Sequence, residues 1–213
     1  MGQKTGLKSF ILILLLVFSL YIALCFAGES RFSLSPHYGA ALTIIKKGGL
    51  STWAKPSILD SGFQVVQVML GERQYLGKRE KREFNQIAAF FHETFPKIAQ
   101  DFKKSGSPKK FLPSGIFYNW DIQNKTADVA AAFLVEQKVI IKGWNAFSLP
   151  AGKALKLVYK GGYANFDKAY QALDAYQEKN KLVSEISIEE YHSDPFIEKD
   201  TSKWVTVIYR ILK

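Results

Sequence analysis

The chain has 213 residues, of which 47% are hydrophobic and 14% are aromatic. That share of apolar side chains supports a folded core and excludes an intrinsically disordered chain. The formal net charge is +10, but the basic runs are short and no nucleic-acid-reading motif accompanies them, so nucleic-acid binding is not expected. The single cysteine, Cys25, excludes an intramolecular disulfide and a cysteine-based metal site.

Residues 10–27 form an uncharged apolar run of 18 residues, which is just long enough to cross a membrane as a helix. Lys4 and Lys8 precede this run and are expected to stay on the cytoplasmic side. Three alternatives are open for residues 1–27: a retained signal-anchor, a cleaved signal peptide, or a lipoprotein signal with its lipid on Cys25. Each alternative places the rest of the chain on the extracytoplasmic side, either anchored to the membrane or, after cleavage without a lipid, secreted.

Residues 28–61 are interpreted as a tether, because Ser, Gly and Pro recur along them. After the tether, a strand is predicted at residues 63–70. An amphipathic helix is predicted at residues 79–104, because its apolar residues recur at helical spacing. The basic cluster from Arg79 to Arg82 is interpreted as the solvated first turn of this helix.

The remaining predicted elements complete a first unit of strands and one helix and form a second unit of the same kind. Further strands are predicted at residues 115–120, 127–135, 143–149, 154–159, 184–191 and 204–212, and a second helix at residues 166–178. The order strand, helix, strand, strand occurs twice, which predicts an α+β fold of duplicated β-α-β-β halves, roughly residues 62–138 and 139–213. Two helices are expected to pack on one antiparallel sheet, with a cleft for a small molecule between the halves.

Several short segments resemble a known family. They are Gly115-Ile116-Phe117-Tyr118, Leu149-Pro150-Ala151-Gly152-Lys153, Tyr159-Lys160-Gly161-Gly162-Tyr163, and Glu189-x-Tyr191 followed by Asp194-Pro195. In order and spacing they are similar to the GyrI-like small-molecule-binding domain, which is also the effector-binding domain of multidrug-responsive transcription activators. The resemblance covers residues 62–213.

The resemblance implies a duplicated β-α-β-β fold with a ligand pocket between the halves. It also implies a buried glutamate among aromatic rings, which holds lipophilic cations in the activators and serves as an equivalent catalytic residue in some hydrolases. That glutamate matches Glu189, and the neighbouring aromatic matches Tyr191. This chain carries the apolar segment where the activators carry DNA-binding helices, which argues against a cytosolic transcription activator or gyrase inhibitor.

Strand alternation places Glu189 and Tyr191 on one side of their strand and Glu190 on the other, so the two glutamates are not both expected to face the core. In a cleft, burial raises the pKa of Glu189 unless a cation compensates, and aromatic rings add cation–π attraction. The candidate ring partners are Tyr118, Trp120 and Tyr163. The alternative interpretation is that Glu189 is a solvated strand residue and that the rings are ordinary core.

Three functions therefore remain open. The first is a non-enzymatic, membrane-tethered binding module for an apolar or cationic small molecule, with residues 10–27 in the membrane. The second is a hydrolase with Glu189 as general base. The third is an interaction domain whose cleft is filled by its own side chains. No cofactor is expected, and the three histidines are widely separated, which argues against a metal site.

Overall fold

The computed structural model describes residues 57–58, 62–106, 111–194 and 197–213. The predicted membrane segment at residues 10–27 lies outside the described residues, as does the predicted tether apart from residues 57–58. Within the described ranges, neither helix combines the length with the apolar character that a membrane crossing requires.

Nine strands and two α-helices make up the described part of the chain. The strands are β1 (Ser57–Ile58), β2 (Gln64–Leu70), β3 (Arg73–Glu83), β4 (Phe111–Asp121), β5 (Thr126–Val135), β6 (Asn145–Leu149), β7 (Gly152–Lys160), β8 (Ser184–Tyr191) and β9 (Val205–Leu212). The helices are α1 (Ile87–Lys104) and α2 (Phe166–Asn180), each entered through one 3₁₀ turn. Their buried residues recur at helical spacing, as the sequence predicts: Phe91, Phe95, Ile98 and Phe102 in α1, and Phe166, Ala169, Leu173 and Tyr176 in α2.

All strands join one antiparallel sheet in the order β1-β2-β7-β9-β8-β4-β5-β3-β6. Eight of them have five residues or more, and the two-residue β1 lies at one edge beside β2. The predicted α+β class, with two helices and one antiparallel sheet, is confirmed. At the middle of the sheet, β4 of the first half pairs with β8 of the second half.

The prediction for residues 79–83 is wrong, because they belong to β3 and not to the first turn of a helix. β3 pairs with β5 over ten residues, from Gln74 opposite Val135 to Glu83 opposite Thr126. The charged run from Lys78 to Glu83 contains no apolar residue that could show a strand period. Long-range pairing with β5 therefore decides its conformation, and α1 begins only at Ile87.

The repeated unit consequently has two strands before its helix, β-β-α-β-β, and not the single strand of the predicted β-α-β-β order. In the first half the prediction omits β3, whereas the segments predicted at residues 143–149 and 154–159 in the second half are β6 and β7. The first strand of each unit pairs outside its own unit. Six residues of β2 pair with β7, and five residues of β3 pair with β6. The two units therefore exchange their first strands across the sheet.

The helices lie on one face of the sheet, where aromatic side chains from α1, α2 and the strands form a continuous core. A second apolar cluster lies on the opposite face, and among the described residues its members come from strands alone. Ile116 of β4 and Ile188 of β8 belong to this second cluster and are 0% exposed. Both faces of the central strands are thus removed from water.

Candidate functional site

A cleft of about 450 Å³ opens between α1 and α2, above the central strands β4 and β8. The side chains that line it are mostly apolar or aromatic, with a few charged groups, which is the usual composition of a small-molecule site. The lining residues include Phe117, Trp120, Tyr170, Glu189, Tyr191 and Arg210.

Glu189 lies on β8 at the floor of this cleft and is only 6% exposed. The hydroxyl of Tyr191 donates a hydrogen bond to its Oε2 at 2.6 Å, and the hydroxyl of Tyr170 donates to its Oε1. Burial raises the pKa of Glu189 above its ordinary value of 4.5, while the two hydrogen bonds act in the opposite direction. The interpretation of Glu189 as a solvated strand residue is therefore wrong.

The two tyrosines that hold Glu189 come from different elements. Tyr170 lies on α2, and Tyr191 lies two residues after Glu189 on the same face of β8. Burial, together with the nearby Glu189 carboxyl, raises the pKa of both hydroxyls far above the ordinary value. Both tyrosines therefore stay protonated and act as hydrogen-bond donors.

Gly115 makes room for this arrangement from the neighbouring strand, where it lies opposite Glu189. A Cβ atom at position 115 would lie 2.9 Å from the Tyr191 hydroxyl and 3.0 Å from the Phe91 ring. The hydrogen-bonded pair of Tyr191 and Glu189 thus depends on a residue without a side chain at this point.

A β-bulge in β4 decides which of the predicted rings faces the cleft. The register against β5 shifts between Phe117 and Asn119, which leaves Tyr118 as the extra residue. After the bulge, Trp120 returns to the helix-covered face and stacks on Phe117 with ring centroids 5.3 Å apart. Both of these rings line the cleft.

Tyr118 also lines the cleft, but its ring already makes a cation–π contact with Arg79 of the same chain. The guanidinium carbon of Arg79 lies 3.5 Å from the ring centroid, and Arg79 itself is paired with Asp128 through two hydrogen bonds. The Tyr118 ring packs against the apolar cluster on the other face of the sheet. Burial raises the pKa of Tyr118 to about 12.

Tyr163 does not line the cleft. It is buried in the 3₁₀ turn before α2, with its ring edge-on to Tyr191 at 6.4 Å and to Phe166 at 5.4 Å. Of the five residues predicted for the site, the structure thus brings Glu189, Tyr191, Trp120 and Tyr118 to the cleft. Tyr163 supports Tyr191 from the core behind it.

The sequence does not predict Arg210 or Asp174 as site residues, and it predicts Tyr170 only as a core residue of its helix. Arg210 Nη1 donates to Asp174 Oδ1 at 2.7 Å and also to the Gln177 side chain. Its guanidinium carbon lies 5.5 Å from the centroid of the Tyr170 ring. One signal in the sequence could have identified Arg210 as a site residue. It is the only charged residue of the apolar strand β9, and it lies on the same face as Ile208.

The expectation that Glu189 and Glu190 do not both face the core is wrong, because Glu190 is buried as well. It lies on the face opposite Glu189, 2% exposed, and its Oε1 accepts a hydrogen bond from Arg73 Nη1 at 2.5 Å. His192 Nε2 lies 3.3 Å from its other carboxylate oxygen. Two adjacent glutamates can both be buried because each face of the sheet carries its own apolar cluster.

No cluster of three or more His, Cys, Asp or Glu side chains suited to a metal ion occurs in the part of the chain that the structure describes. The charged groups that line the cleft there are Asp174, Glu185, Glu189 and Arg210. These three carboxyl groups and one guanidinium favour a positively charged or neutral occupant over an anion.

Comparison with solved structures shows the same fold elsewhere. The C-terminal domain of EcmrR matches with a TM-score of 0.59 at 20% identity, covering 71% of this chain and 98% of that one. EcmrR in its complex with DNA matches with a TM-score of 0.60 at 19% identity, covering 82% of this chain but only 63% of the EcmrR chain. SAV2435 bound to tetraphenylphosphonium matches with a TM-score of 0.51 at 14% identity, covering 71% of this chain and 93% of that one.

None of the curated proteins compared with the chain matches it in sequence. The family model of the GyrI-like small molecule binding domain, in contrast, matches residues 63–212, which span β2 to β9 and include every residue of the cleft described above. The chain therefore belongs to the GyrI-like small molecule binding domain family.

Proposed function

We propose that the cleft binds an apolar small molecule that carries a positive charge, and that it does so without catalysing a reaction. The observation that carries this proposal is Glu189. Its carboxyl group lies on the floor of an aromatic cleft, and among the described residues its hydrogen-bond partners are two tyrosine hydroxyls and no cationic side chain. A buried carboxylate without a cation is a site that a cationic ligand would complete.

The rings around Glu189 favour the same class of ligand. Phe117 and Trp120 stack with their planes within 11° of each other and form one aromatic wall of the cleft. Aromatic faces attract cations with about 0.5–2 kcal/mol and also remove the apolar body of a ligand from water. The solved structure of SAV2435 with tetraphenylphosphonium, a lipophilic cation, supports this choice of ligand class for the shared fold.

The decisive experiment is a calorimetric titration of the full-length protein with tetraphenylphosphonium at neutral pH. We expect wild-type protein to bind and Glu189→Gln to lose at least about tenfold in affinity, since an ion pair in a low-dielectric site is removed. Glu178→Gln is the matched control, because it makes the same change at an exposed position of α2 outside the cleft. Equal affinity in the wild type and Glu189→Gln would refute the assignment of the site.

The hydrolase alternative, with Glu189 as general base, stays a prediction. A buried carboxyl group with a raised pKa is suited to such a role. The described residues that line the cleft, however, include no histidine and no cysteine. Ester hydrolysis that is abolished by Glu189→Gln, while the variant still binds tetraphenylphosphonium as the wild type does, would favour the hydrolase.

We further propose that residues 10–27 hold this domain on the extracytoplasmic side of a membrane. The support is the uncharged run of 18 residues after Lys4 and Lys8. Without protease, the full-length protein is expected in the membrane fraction. Protease added to intact spheroplasts is expected to digest the domain. Recovery of intact domain in the cytosolic fraction would contradict the proposal.

A further inference from the structure

The charged groups that line the cleft do not cancel one another. Arg210 Nη1 forms an ion pair with Asp174 Oδ1 at 2.7 Å, so these two charges offset each other. Glu189 has two tyrosine hydroxyls as partners and no cation among the described residues. Glu185 also lines the cleft, is exposed, and forms no ion pair with any residue that the structure describes. Above the pKa of Glu189 the lining therefore carries two uncompensated negative charges, of which a singly charged ligand offsets only one.

Strand β8 fixes the separation of these two carboxyl groups. Glu185 and Glu189 are four residues apart on this strand, so their Cα atoms lie roughly 13 Å apart at about 3.3 Å per residue. A β-bulge occurs at Glu185, because β8 falls out of register with β9 between Ser184 and Ile186. Bulges re-aim side chains, and both Ser184 and Glu185 line the cleft. The cleft thus has one carboxyl group at its buried floor and another at an exposed end.

The aromatic wall of the cleft lies beside the part of β8 that connects the two glutamates. Phe117 pairs with Ser187 in the antiparallel ladder between β4 and β8. The residues of β4 that follow Phe117 therefore run toward the Glu185 end of β8, and Trp120 is one of them. An apolar spacer between two positive charges would lie against these rings and be removed from water. A cationic group at the exposed end would also be attracted to the face of the Trp120 ring.

We propose that the ligand of this cleft is an elongated dication, with one positive charge at Glu189, a second at Glu185 and an apolar spacer between them. The inference rests on the proposed function and narrows its ligand class from apolar cations to apolar dications. Glu189 attracts its charge in a low-dielectric site, whereas Glu185 adds a weaker attraction that salt screens. Glu185 is thus the residue that distinguishes a dication from a monocation of the same length.

A matched pair of quaternary ammonium compounds tests this inference on the full-length protein. Decamethonium has a linear methylene chain with a trimethylammonium group at each end. Decyltrimethylammonium has the same chain with one trimethylammonium group and a methyl end. Titration calorimetry at low salt is expected to show that the wild type binds decamethonium about fivefold more tightly, since one solvent-exposed ion pair is gained. Salt of about 1 M is expected to remove most of this preference.

The variant Glu185→Gln removes the second charge and keeps the size of the side chain. We expect the preference for decamethonium to fall below about twofold, because its second ammonium group then has no carboxylate partner. The affinity for decyltrimethylammonium is expected to change by less than about twofold, since its charge lies beyond the screening distance of Glu185. Glu178→Gln, at an exposed position of α2 outside the cleft, is the matched control and is expected to keep the wild-type preference.

Tetraphenylphosphonium, titrated against the same proteins, separates the two proposals. Its binding to Glu185→Gln shows that this variant is folded. If tetraphenylphosphonium binds but the ratio of affinities for the two ammonium compounds is the same in the wild type and Glu185→Gln, the inference about Glu185 is overturned and the proposed function stands. The same holds if the wild type binds tetraphenylphosphonium and not decamethonium. Failure of all three cations to bind the wild type would overturn the proposed function, and the inference with it.

Discussion

At the scale of single residues, the cleft depends on Glu189, whose pKa is raised by burial and lowered by the hydroxyls of Tyr170 and Tyr191. Because burial is the larger cause, the folded protein holds the Glu189 proton more tightly than the unfolded chain does. The carboxyl group is therefore neutral at low pH and becomes a binding partner for a cation only above its raised pKa.

Because the pKa of Glu189 is higher in the folded protein than in the unfolded chain, both the affinity for a cation and the stability of the protein are expected to depend on pH. As pH rises from the ordinary pKa of 4.5 through the raised pKa of the folded state, ionisation of Glu189 lowers the free energy of unfolding of the empty protein. Over the same range the affinity for tetraphenylphosphonium rises. Calorimetric titrations between about pH 4 and pH 8 check this, and Glu189→Gln is expected to bind weakly without the pH dependence. An affinity that falls with pH in the wild type would contradict it.

Arg73 and Glu190 form the charged pair of the opposite face, with side chains 19% and 3% exposed. Arg73→Met leaves the Glu190 carboxylate buried without its strongest partner, so we expect the free energy of unfolding to fall by about 3 kcal/mol. The control is Arg79→Met, which breaks the ion pair between Arg79 and Asp128. The side chains of these two residues are 50% and 33% exposed. There we expect a loss below about 1 kcal/mol. Urea denaturation measures both, and equal losses would contradict the difference in burial.

At the scale of elements, strand β4 brings together the features that shape the cleft. Gly115 leaves the space that Tyr191 needs, and the bulge at Tyr118 returns Trp120 to the helix-covered face. Bulges increase local twist and re-aim side chains, and they are frequent beside functional sites. One strand thus positions the hydrogen-bonding partner of Glu189 and the aromatic wall.

The variant Gly115→Ala tests the close approach in β4. Its Cβ would lie 2.9 Å from the Tyr191 hydroxyl, so that ring must shift and its hydrogen bond to Glu189 must weaken. We expect a destabilisation of about 1–3 kcal/mol and weaker binding of tetraphenylphosphonium, measured by denaturation and calorimetry. Gly152→Ala is the control, since no atom lies within 4 Å of a Cβ built there. Unchanged binding and stability in Gly115→Ala would show that Tyr191 is not held at this place.

At the scale of the whole molecule, the exchange of first strands makes the two halves depend on each other. β2 completes the sheet beside β7, and β6 completes it beside β3. The cleft lies above the junction of β4 and β8, where the two halves join. The site therefore exists only when both halves are assembled.

Separate expression of residues 62–138 and 139–213 tests this dependence. Division removes β7 from β2, β3 from β6, and the central partner from both β4 and β8. We therefore expect neither fragment to fold alone and the mixture to recover a folded sheet. The dispersion of amide signals in proton–nitrogen correlation spectra measures folding of each fragment and of the mixture. A dispersed spectrum from either fragment alone would contradict the prediction.

The sequence by itself predicted the elements whose pattern is local. Apolar spacing identified all of α1, with a start predicted too early, and most of α2. Alternation identified most of the strands, because these periods follow directly from helix and strand geometry. The segments around Glu189 and Tyr191 identified the family, which the match over residues 63–212 confirms. The length and apolar composition of residues 10–27 are likewise read directly from the sequence, and their role as a membrane segment stays a prediction.

Only the tertiary structure decided the features that depend on contacts distant in sequence. The run from Lys78 to Glu83 is a strand because β5 pairs with it, and the bulge at Tyr118 exists because two strands fall out of register. Glu190 is buried because the second face of the sheet carries its own apolar cluster. Arg210 lines the cleft because the sheet and α2 bring it to Asp174. Local sequence patterns carry no information on strand partners or register, and these set the final position of each side chain of the site.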